Sequence, residues 1–188
     1  MAPFPAFSGW ILPAAVAFSL GAVANADPAP SAFQEVAKVL RNPRCLNCHT
    51  ATDFPRQGDE RRRHDMNVLR GPDDRGAVAM RCSSCHQGGN QKNGVPGAPN
   101  WGLAPLSMAW EGLDDHDLAK AITDPAKNGH RSLEQLYEHI SRDPLVGWAW
   151  QPGGDRQPVP MPRVEFARRF RQWIDAGAVP PEAKGKSS

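Results

Sequence analysis

The chain contains Cys45-Leu46-Asn47-Cys48-His49 and, further on, Cys82-Ser83-Ser84-Cys85-His86, two copies of the pattern Cys-x-x-Cys-His. This pattern is typical of covalent haem attachment, in which each cysteine forms a thioether with one haem vinyl group. The histidine that follows each pair is then expected to bind the iron as proximal ligand. The motifs use all four cysteines of the chain. The sequence therefore predicts two covalent c-type haems, attached at Cys45 and Cys48 and at Cys82 and Cys85, with His49 and His86 as proximal ligands.

Three other interpretations of the cysteines are a structural zinc site, a disulfide within each pair, and a thioredoxin-like redox motif. Cys82 follows Cys45 by 37 residues, beyond the gap of about 15–20 residues that zinc ribbons use. None of the three explains why a histidine directly follows each pair. No strand–helix pattern of the thioredoxin kind surrounds the pairs. Haem attachment is therefore the favoured interpretation.

The N-terminus predicts export. From Trp10 to Ala24 the chain is uncharged and mostly apolar, and Ala24-Asn25-Ala26 matches a small-x-small cleavage site. We expect a signal peptide over residues 1–26 and a periplasmic location, where bacteria attach haem covalently. The alternative is an uncleaved anchor, but an apolar run of about 15 residues is short for a membrane span. Membrane contact is expected only if this segment is retained.

Composition limits the remaining possibilities. Residues 27–188 have the length of one domain, here predicted to be a dihaem cytochrome c domain. The formal net charge is only +2, which predicts no attraction for nucleic acid. The chain has 19 prolines and 17 glycines, and a loop-rich chain of this kind has difficulty building a core alone. Two haems would supply large apolar bodies for short helices to pack against.

Four amphipathic helices are predicted, beginning near Ser31, Asp114, Ser132 and Pro162. Ser31 and Gln34 have the spacing of a capping box, as do Ser132 and the glutamine three residues after it. Apolar residues recur at helical spacing after each start. No alternating strand pattern is evident. The predicted fold class is all-α, cytochrome c-like, with short helices and long loops packed around the haems.

The ends of the chain resemble class I cytochromes c. The order is a helix, a Cys-x-x-Cys-His motif, the tripeptide Pro160-Met161-Pro162, and a closing helix that includes Phe166 to Gly177. In that family the terminal helices cross beside the haem, and a methionine before the last helix is often the distal ligand. The resemblance implies that role for Met161. A second motif so soon after the first departs from the single-haem members of the family.

A further stretch, His64 to Gln87, resembles small dihaem accessory subunits of molybdenum hydroxylases such as isoquinoline 1-oxidoreductase, as do the tryptophan-rich loops. This resemblance implies that the chain exchanges electrons with redox partner proteins, among them a periplasmic molybdenum-containing dehydrogenase.

The distal ligands remain open between three candidates, His64, His139 and Met161. His64 lies in a polar, arginine-rich stretch, where it could equally be a solvated side chain. His139 lies on the flank of a predicted apolar helix stripe, where it could face a haem or solvent. We expect His64 on one iron and Met161 or His139 on the other.

Two function hypotheses follow. In the first, the chain is a periplasmic electron-transfer protein and not itself an enzyme, relaying electrons from a dehydrogenase to the respiratory chain. In the second, it is a small dihaem enzyme of the peroxidase or thiosulfate-oxidising type, with one open iron site. The sequence contains no phosphate-binding loop, nucleophile elbow or zincin motif. Two filled axial positions on each iron would favour the first hypothesis.

Overall fold

Six α-helices shape the part of the chain that the computed structural model describes, which is Met1 and residues 29–183. They are α1 (Ala29–Leu40), α2 (Pro43–Leu46), α3 (Asp115–Thr123), α4 (Leu133–Arg142), α5 (Pro144–Gly147) and α6 (Arg163–Asp175). The signal peptide predicted over residues 1–26 lies, apart from Met1, outside the described residues. Between residues 29 and 183, no helix combines the length and the apolar character that crossing a bilayer requires.

Three of the four predicted helix starts agree with the structure, whereas the start at Ser31 is wrong, because α1 begins two residues earlier at Ala29 and Ser31 lies within its first turn. The Asp114 side chain accepts a hydrogen bond from the backbone amide of Asp117 at the start of α3. Both hydrogen bonds of the capping box between Ser132 and Gln135 are present at the start of α4, and α6 begins directly after Pro162. These starts are confirmed because each depends on residues within one turn of the helix.

The helical core forms where α1 packs along α6, with α3 against α1 and α4 against α6. The rings of Phe33 and Trp173 lie 4.5 Å apart between centroids, and Phe166 and Phe170 continue the aromatic row along α6. All four side chains are buried. Aromatic pairs of this kind contribute about 0.5–1.5 kcal/mol each beyond their area burial. The aromatic face of α6 therefore holds the two ends of the described chain together.

The all-α prediction is wrong, because the chain between the two motifs contains two small antiparallel sheets. The first pairs β1 (Arg56–Gln57) with β2 (Arg62–Arg63), and the second pairs β3 (Gly76–Ala77) with β4 (Met80–Arg81). A strand of two residues is too short to show apolar–polar alternation, which is the signal that predicts strands. The described chain is therefore of mixed helix and sheet structure.

Arg70 organises the loops around these sheets. Its side chain is 6% exposed and donates hydrogen bonds to the carbonyl oxygens of Thr50, Thr52 and Ala104. It also forms an ion pair with Asp74 at 2.6 Å. A buried guanidinium is tolerated only when its donors are paired in this way. One side chain thus fixes the loop after the first motif, the second sheet and the loop after the second motif.

Asn128 joins α3 to α4, and we expect its loss to destabilise the fold. Its buried side-chain amide donates to the carbonyl oxygens of Ile122 and Arg131 and accepts from the Arg131 backbone amide. Asn128→Ala leaves these groups without partners, at a cost of about 1–3 kcal/mol in the free energy of unfolding. Chemical denaturation of the haem-loaded protein measures the loss. Lys120→Ala, on the exposed side of α3, is the control, and equal losses in the two variants would contradict the expectation.

Candidate functional site

The two Cys-x-x-Cys-His motifs adopt the same local conformation. In the first, the backbone amide of His49 donates to the carbonyl oxygen of Cys45 at 3.0 Å, and in the second His86 donates to Cys82 at 2.9 Å. Each motif is thus one helical turn. Residues three and four apart on such a turn lie on the same side. Both motifs therefore present their two cysteines and their histidine together.

Local sequence explains the turn at the first motif. The Asn42 side chain accepts a hydrogen bond from the backbone amide of Arg44 at 2.9 Å and caps α2. Pro43 occupies the first helical position, where its fixed φ angle suits a helix and its missing amide proton is not needed. The turn therefore begins immediately before the first cysteine.

Each motif histidine is oriented by a backbone carbonyl group. The Nδ1 atom of His49 lies 2.9 Å from the Met108 carbonyl oxygen, and that of His86 lies 2.8 Å from the Pro96 carbonyl oxygen. Because a carbonyl oxygen only accepts, Nδ1 carries the proton in both rings. The Nε2 atom is then unprotonated, which is the state in which imidazole binds a metal.

Each motif histidine also stacks on a tryptophan. The rings of His49 and Trp110 are 3.4 Å apart between centroids, with 8° between their planes. The rings of His86 and Trp101 are 4.6 Å apart, with 10° between their planes. A hydrogen bond and a stacked ring together fix the plane of each imidazole.

These supporting residues could not be identified from the sequence. Trp101 and Trp110 stand at unrelated spacings from their histidines, so they read as ordinary packing residues. Met108 and Pro96 contribute carbonyl oxygens, which no side-chain pattern reveals. The loop that carries Pro96 depends on Gly97, where a Cβ atom would lie 2.3 Å from the Gly89 carbonyl oxygen. The signal that the sequence offers for this loop conformation is a glycine within a glycine-rich stretch.

A cavity of about 560 Å³ opens beside the first motif. It is within the range of about 300–1,000 Å³ that is usual for ligand pockets. Much of its wall is apolar or aromatic, including Leu40, Met108, Leu136, Ile140, Phe166 and Phe170. Cys45, Cys48 and His49 line it as well. The cavity thus combines an apolar interior with the reactive groups of the first motif.

His139 lines the same cavity as His49. It projects from α4, and its Nδ1 atom lies 3.1 Å from a carboxylate oxygen of Asp143. The carboxylate accepts, so this imidazole also has an unprotonated Nε2 atom when it is neutral. Asp143 is fixed in turn, because it caps α5.

Met161, the other candidate for this position, packs against the helical core. Its carbonyl oxygen accepts a hydrogen bond from Trp150 Nε1 at 2.6 Å. It is not among the described residues that line the cavity. The structure therefore brings His139, and not Met161, into one cavity with His49.

His64 lies against His86 at the second motif. Their ring centroids are 6.0 Å apart, and the planes are at 74°. Two imidazoles that bind one metal from opposite sides, each with a nitrogen–metal distance of about 2 Å, have centroids about 6 Å apart. The Nδ1 atom of His64 lies 2.7 Å from the Asp65 carbonyl oxygen, so Nε2 is the unprotonated nitrogen of the neutral ring. The separation of this pair suits a shared metal ion.

The second motif is more open to solvent than the first. Cys85 is exposed, whereas the other three cysteines are half-buried. A cavity of about 320 Å³ adjoins His86 and is lined by polar residues that include Arg75 and Arg81. The two motifs therefore offer different surroundings, one beside the helical core and one at the surface.

Burial determines the protonation of the first site. It lowers the pKa of His49 to about 4, and the charges of His139 and Arg131 lower it further, against the opposing effect of the Met108 carbonyl group. Burial is likewise the main cause that lowers the pKa of His86 and His139. These imidazoles are neutral near pH 7, as metal ligation requires.

The thiols show the opposite shift. Burial raises the pKa of Cys45 to about 12 and that of Cys48 to about 11, and the next cause for Cys48 is the Cys82 thiol. A thioredoxin-like cysteine needs a lowered pKa, so the surroundings of the first pair do not suit that chemistry. The effect of the Cys82 thiol on Cys48 indicates that the two motifs lie close together.

The structure gives no support to the other interpretations of the cysteines. All four thiols are free. Within the described residues, no three or more histidine, cysteine, aspartate or glutamate side chains are grouped as a metal site. The four cysteines are thus not arranged as disulfides or as a zinc site.

Comparison with family models, with curated proteins and with solved structures found no match to this chain. What the site can do therefore follows from its own residues. His64 lies against His86, and His139 lines one cavity with His49, Cys45 and Cys48.

Proposed function

We propose that the chain is an electron-transfer protein that carries two covalently attached c-type haems. Cys45 and Cys48 would hold the first haem, with His49 and His139 as its axial ligands. Cys82 and Cys85 would hold the second, with His86 and His64 as ligands. The observation that carries the proposal is the second histidine at each motif, above all the 6.0 Å separation of the His64 and His86 rings.

The first cavity fits such a group in its chemistry as well as its size. Its aromatic and aliphatic wall suits a large apolar ring. Arg44 and Arg131 add positive charge to that wall. The Arg44 side chain is 2% exposed and forms an ion pair with Asp59, while its buried Nε atom has no hydrogen-bond partner among the described residues. A carboxylate of a bound haem is the kind of group to which this Nε–H would donate.

A haem iron supplies a one-electron cycle between the ferric and ferrous states. The protein residues determine how that cycle is used. Two imidazoles on opposite sides of an iron leave no open position for a substrate, so the group exchanges electrons and does not activate a ligand. Bis-histidine ligation also gives a lower potential than histidine–methionine ligation. His139 in place of Met161 therefore favours a low-potential carrier.

Location and partner extend the proposal. The uncharged stretch from Trp10 to Ala24 and the Ala24-Asn25-Ala26 site support export to the periplasm. The resemblance of the segment His64 to Gln87 to accessory subunits of molybdenum hydroxylases supports a molybdenum-containing dehydrogenase as electron donor. Copurification of the untagged pair from a periplasmic extract would test this assignment directly.

Substitution of the distal histidines tests the proposal. In the haem-loaded protein, His139→Ala is expected to convert the first haem from low-spin to high-spin, and His64→Ala to do the same for the second. Loss of one axial ligand opens one coordination position, so each variant should also bind carbon monoxide. Visible absorption and electron paramagnetic resonance spectra measure both effects.

Two matched variants complete this experiment. Met161→Ala is expected to leave both haems low-spin, as is His116→Ala, whose Nδ1 atom lies 2.8 Å from the Pro181 carbonyl oxygen. A high-spin haem in Met161→Ala together with an unchanged spectrum in His139→Ala would reverse the ligand assignment. A wild-type protein with a high-spin haem that reacts with peroxide would instead establish the enzyme hypothesis.

A further inference from the structure

The cavities beside the two motifs share part of their walls. Arg75, Asn100 and Trp101 line both the cavity of His49 and the smaller cavity of His86. These three residues thus stand between the cavity of the first motif and the cavity that adjoins His86. Trp101 is the only aromatic residue among the three.

One face of the Trp101 ring contacts the second site. The ring also contacts a residue that lines the first cavity. The Trp101 ring stacks on the His86 imidazole at 4.6 Å. It also meets Trp148 edge to face, with 4.9 Å between centroids and 84° between planes. Trp148 lines the first cavity, and its indole nitrogen donates to the Asn90 side chain at 2.9 Å. One aromatic contact series therefore runs from the second proximal histidine to the wall of the first site.

The backbone around Trp101 is held in an unfavourable conformation. Asn100 has a φ angle of 61°, a left-handed conformation that is strained for a residue with a side chain. A Cβ atom at Gly102 would lie 3.1 Å from the Asp74 carbonyl oxygen, and the same oxygen accepts from the Leu103 amide at 2.8 Å. The fold thus fixes this segment closely against the second sheet. Strain of this kind persists where the surrounding structure determines a position strongly.

We infer that Trp101 is a positioning residue shared by the two haem sites, which holds the His86 ring and closes the wall of the His49 cavity at the same time. The inference rests on the proposed function, because it requires a haem at each motif. An electron that passes between the haems oxidises one iron by one electron and reduces the other by one. Trp101 would place an apolar ring where water would otherwise stand between the two sites, and a lower effective dielectric strengthens the influence of each charge on the other site.

Trp110 provides a matched control, since it stacks on His49 in the same way but lines only the first cavity. The test compares Trp101→Leu with Trp110→Leu in the two-haem protein. Electron paramagnetic resonance of the ferric haems reports the orientation of the imidazoles. Trp101→Leu is expected to shift the second haem's signal and the first haem's midpoint potential. Trp110→Leu is expected to shift the first haem alone.

A second measurement isolates the coupling. The first haem's midpoint potential is compared between the two-haem protein and a one-haem form, Cys82→Ser with Cys85→Ser. The difference measures the influence of the second haem on the first. It should shrink in Trp101→Leu, because water enters between the two sites, and persist in Trp110→Leu. Trp101→Phe retains a ring and should keep most of this difference in midpoint potential. If Trp101→Leu does not fold, Trp101→Phe is compared with the wild type instead.

Two results would overturn the inference. One is that Trp101→Leu changes only the signal of the second haem and leaves the influence of the second haem on the first haem's midpoint potential intact. The other is an equal loss of that influence in Trp101→Leu and Trp110→Leu. A wild-type protein without covalent haem would instead refute the proposed function. The haem content of the denatured chain measures this separately from the potentials.

Discussion

Made in cells that attach c-type haem, the mature protein is expected to retain two haems after full denaturation. The thioethers at Cys45, Cys48, Cys82 and Cys85 are covalent, so unfolding cannot release the groups. Mass spectrometry should show two haem additions on a chain that begins at Asp27. The absorption spectrum of the denatured, reduced protein should give the same stoichiometry.

Matched variants assign each haem to its motif. Cys48→Ala is expected to impair attachment of the first haem and leave the second, and Cys85→Ala is expected to do the reverse. A mass equal to the unmodified polypeptide would refute the proposed function. So would zinc in place of iron in the purified protein. If Cys48→Ala retained both haems at full occupancy, attachment would not depend on the complete Cys-x-x-Cys-His pattern.

The two haems are expected to contribute unequally to stability. A protein that lacks the first haem, Cys45→Ser with Cys48→Ser, keeps a cavity of about 560 Å³ beside its helical core. At about 24 cal/mol per Å³, even half of that volume left empty would cost on the order of 5 kcal/mol or more. The variant should unfold at a much lower guanidinium concentration than the two-haem protein.

The corresponding variant at the second motif, Cys82→Ser with Cys85→Ser, is the control. This motif lies at the surface, with Cys85 exposed, so loss of its haem empties little of the core. Its free energy of unfolding should fall by less than about 3 kcal/mol, within the range of ordinary substitutions. Circular dichroism during denaturation measures both. Equal losses, or a larger loss at the second motif, would contradict the position of the first haem in the core.

Local patterns in this sequence predicted local structure well. Asp114, Ser132 and Pro162 mark the helix starts because capping depends on atoms within one turn. The sheets were missed because each strand has two residues, and their pairing depends on turns and not on a hydrophobic repeat. The short ladder that joins Arg56 to Arg63 offers no periodic signal.

Contacts between distant residues account for what could not be predicted at the site. The sequence left both His139 and Met161 as candidates for one iron. The choice depends on how α4 lies over the first motif, which is a matter of packing and not of spacing. In the same way, Trp101 and Trp110 become recognisable only when the chain returns to stack them on His86 and His49.

Under the proposed export, the hydrogen bonds of Arg70 would bear on how the protein is assembled. Synthesis delivers the chain from its N-terminus, and the carbonyl group of Ala104 is the last acceptor of this guanidinium to appear. Until then, the set of Arg70 hydrogen bonds that includes the loop at Thr50 and Thr52 is incomplete. Both motifs have emerged by that time. The haem-attaching enzymes would therefore meet both motifs while the chain between them is still open, and closure around Arg70 would follow attachment.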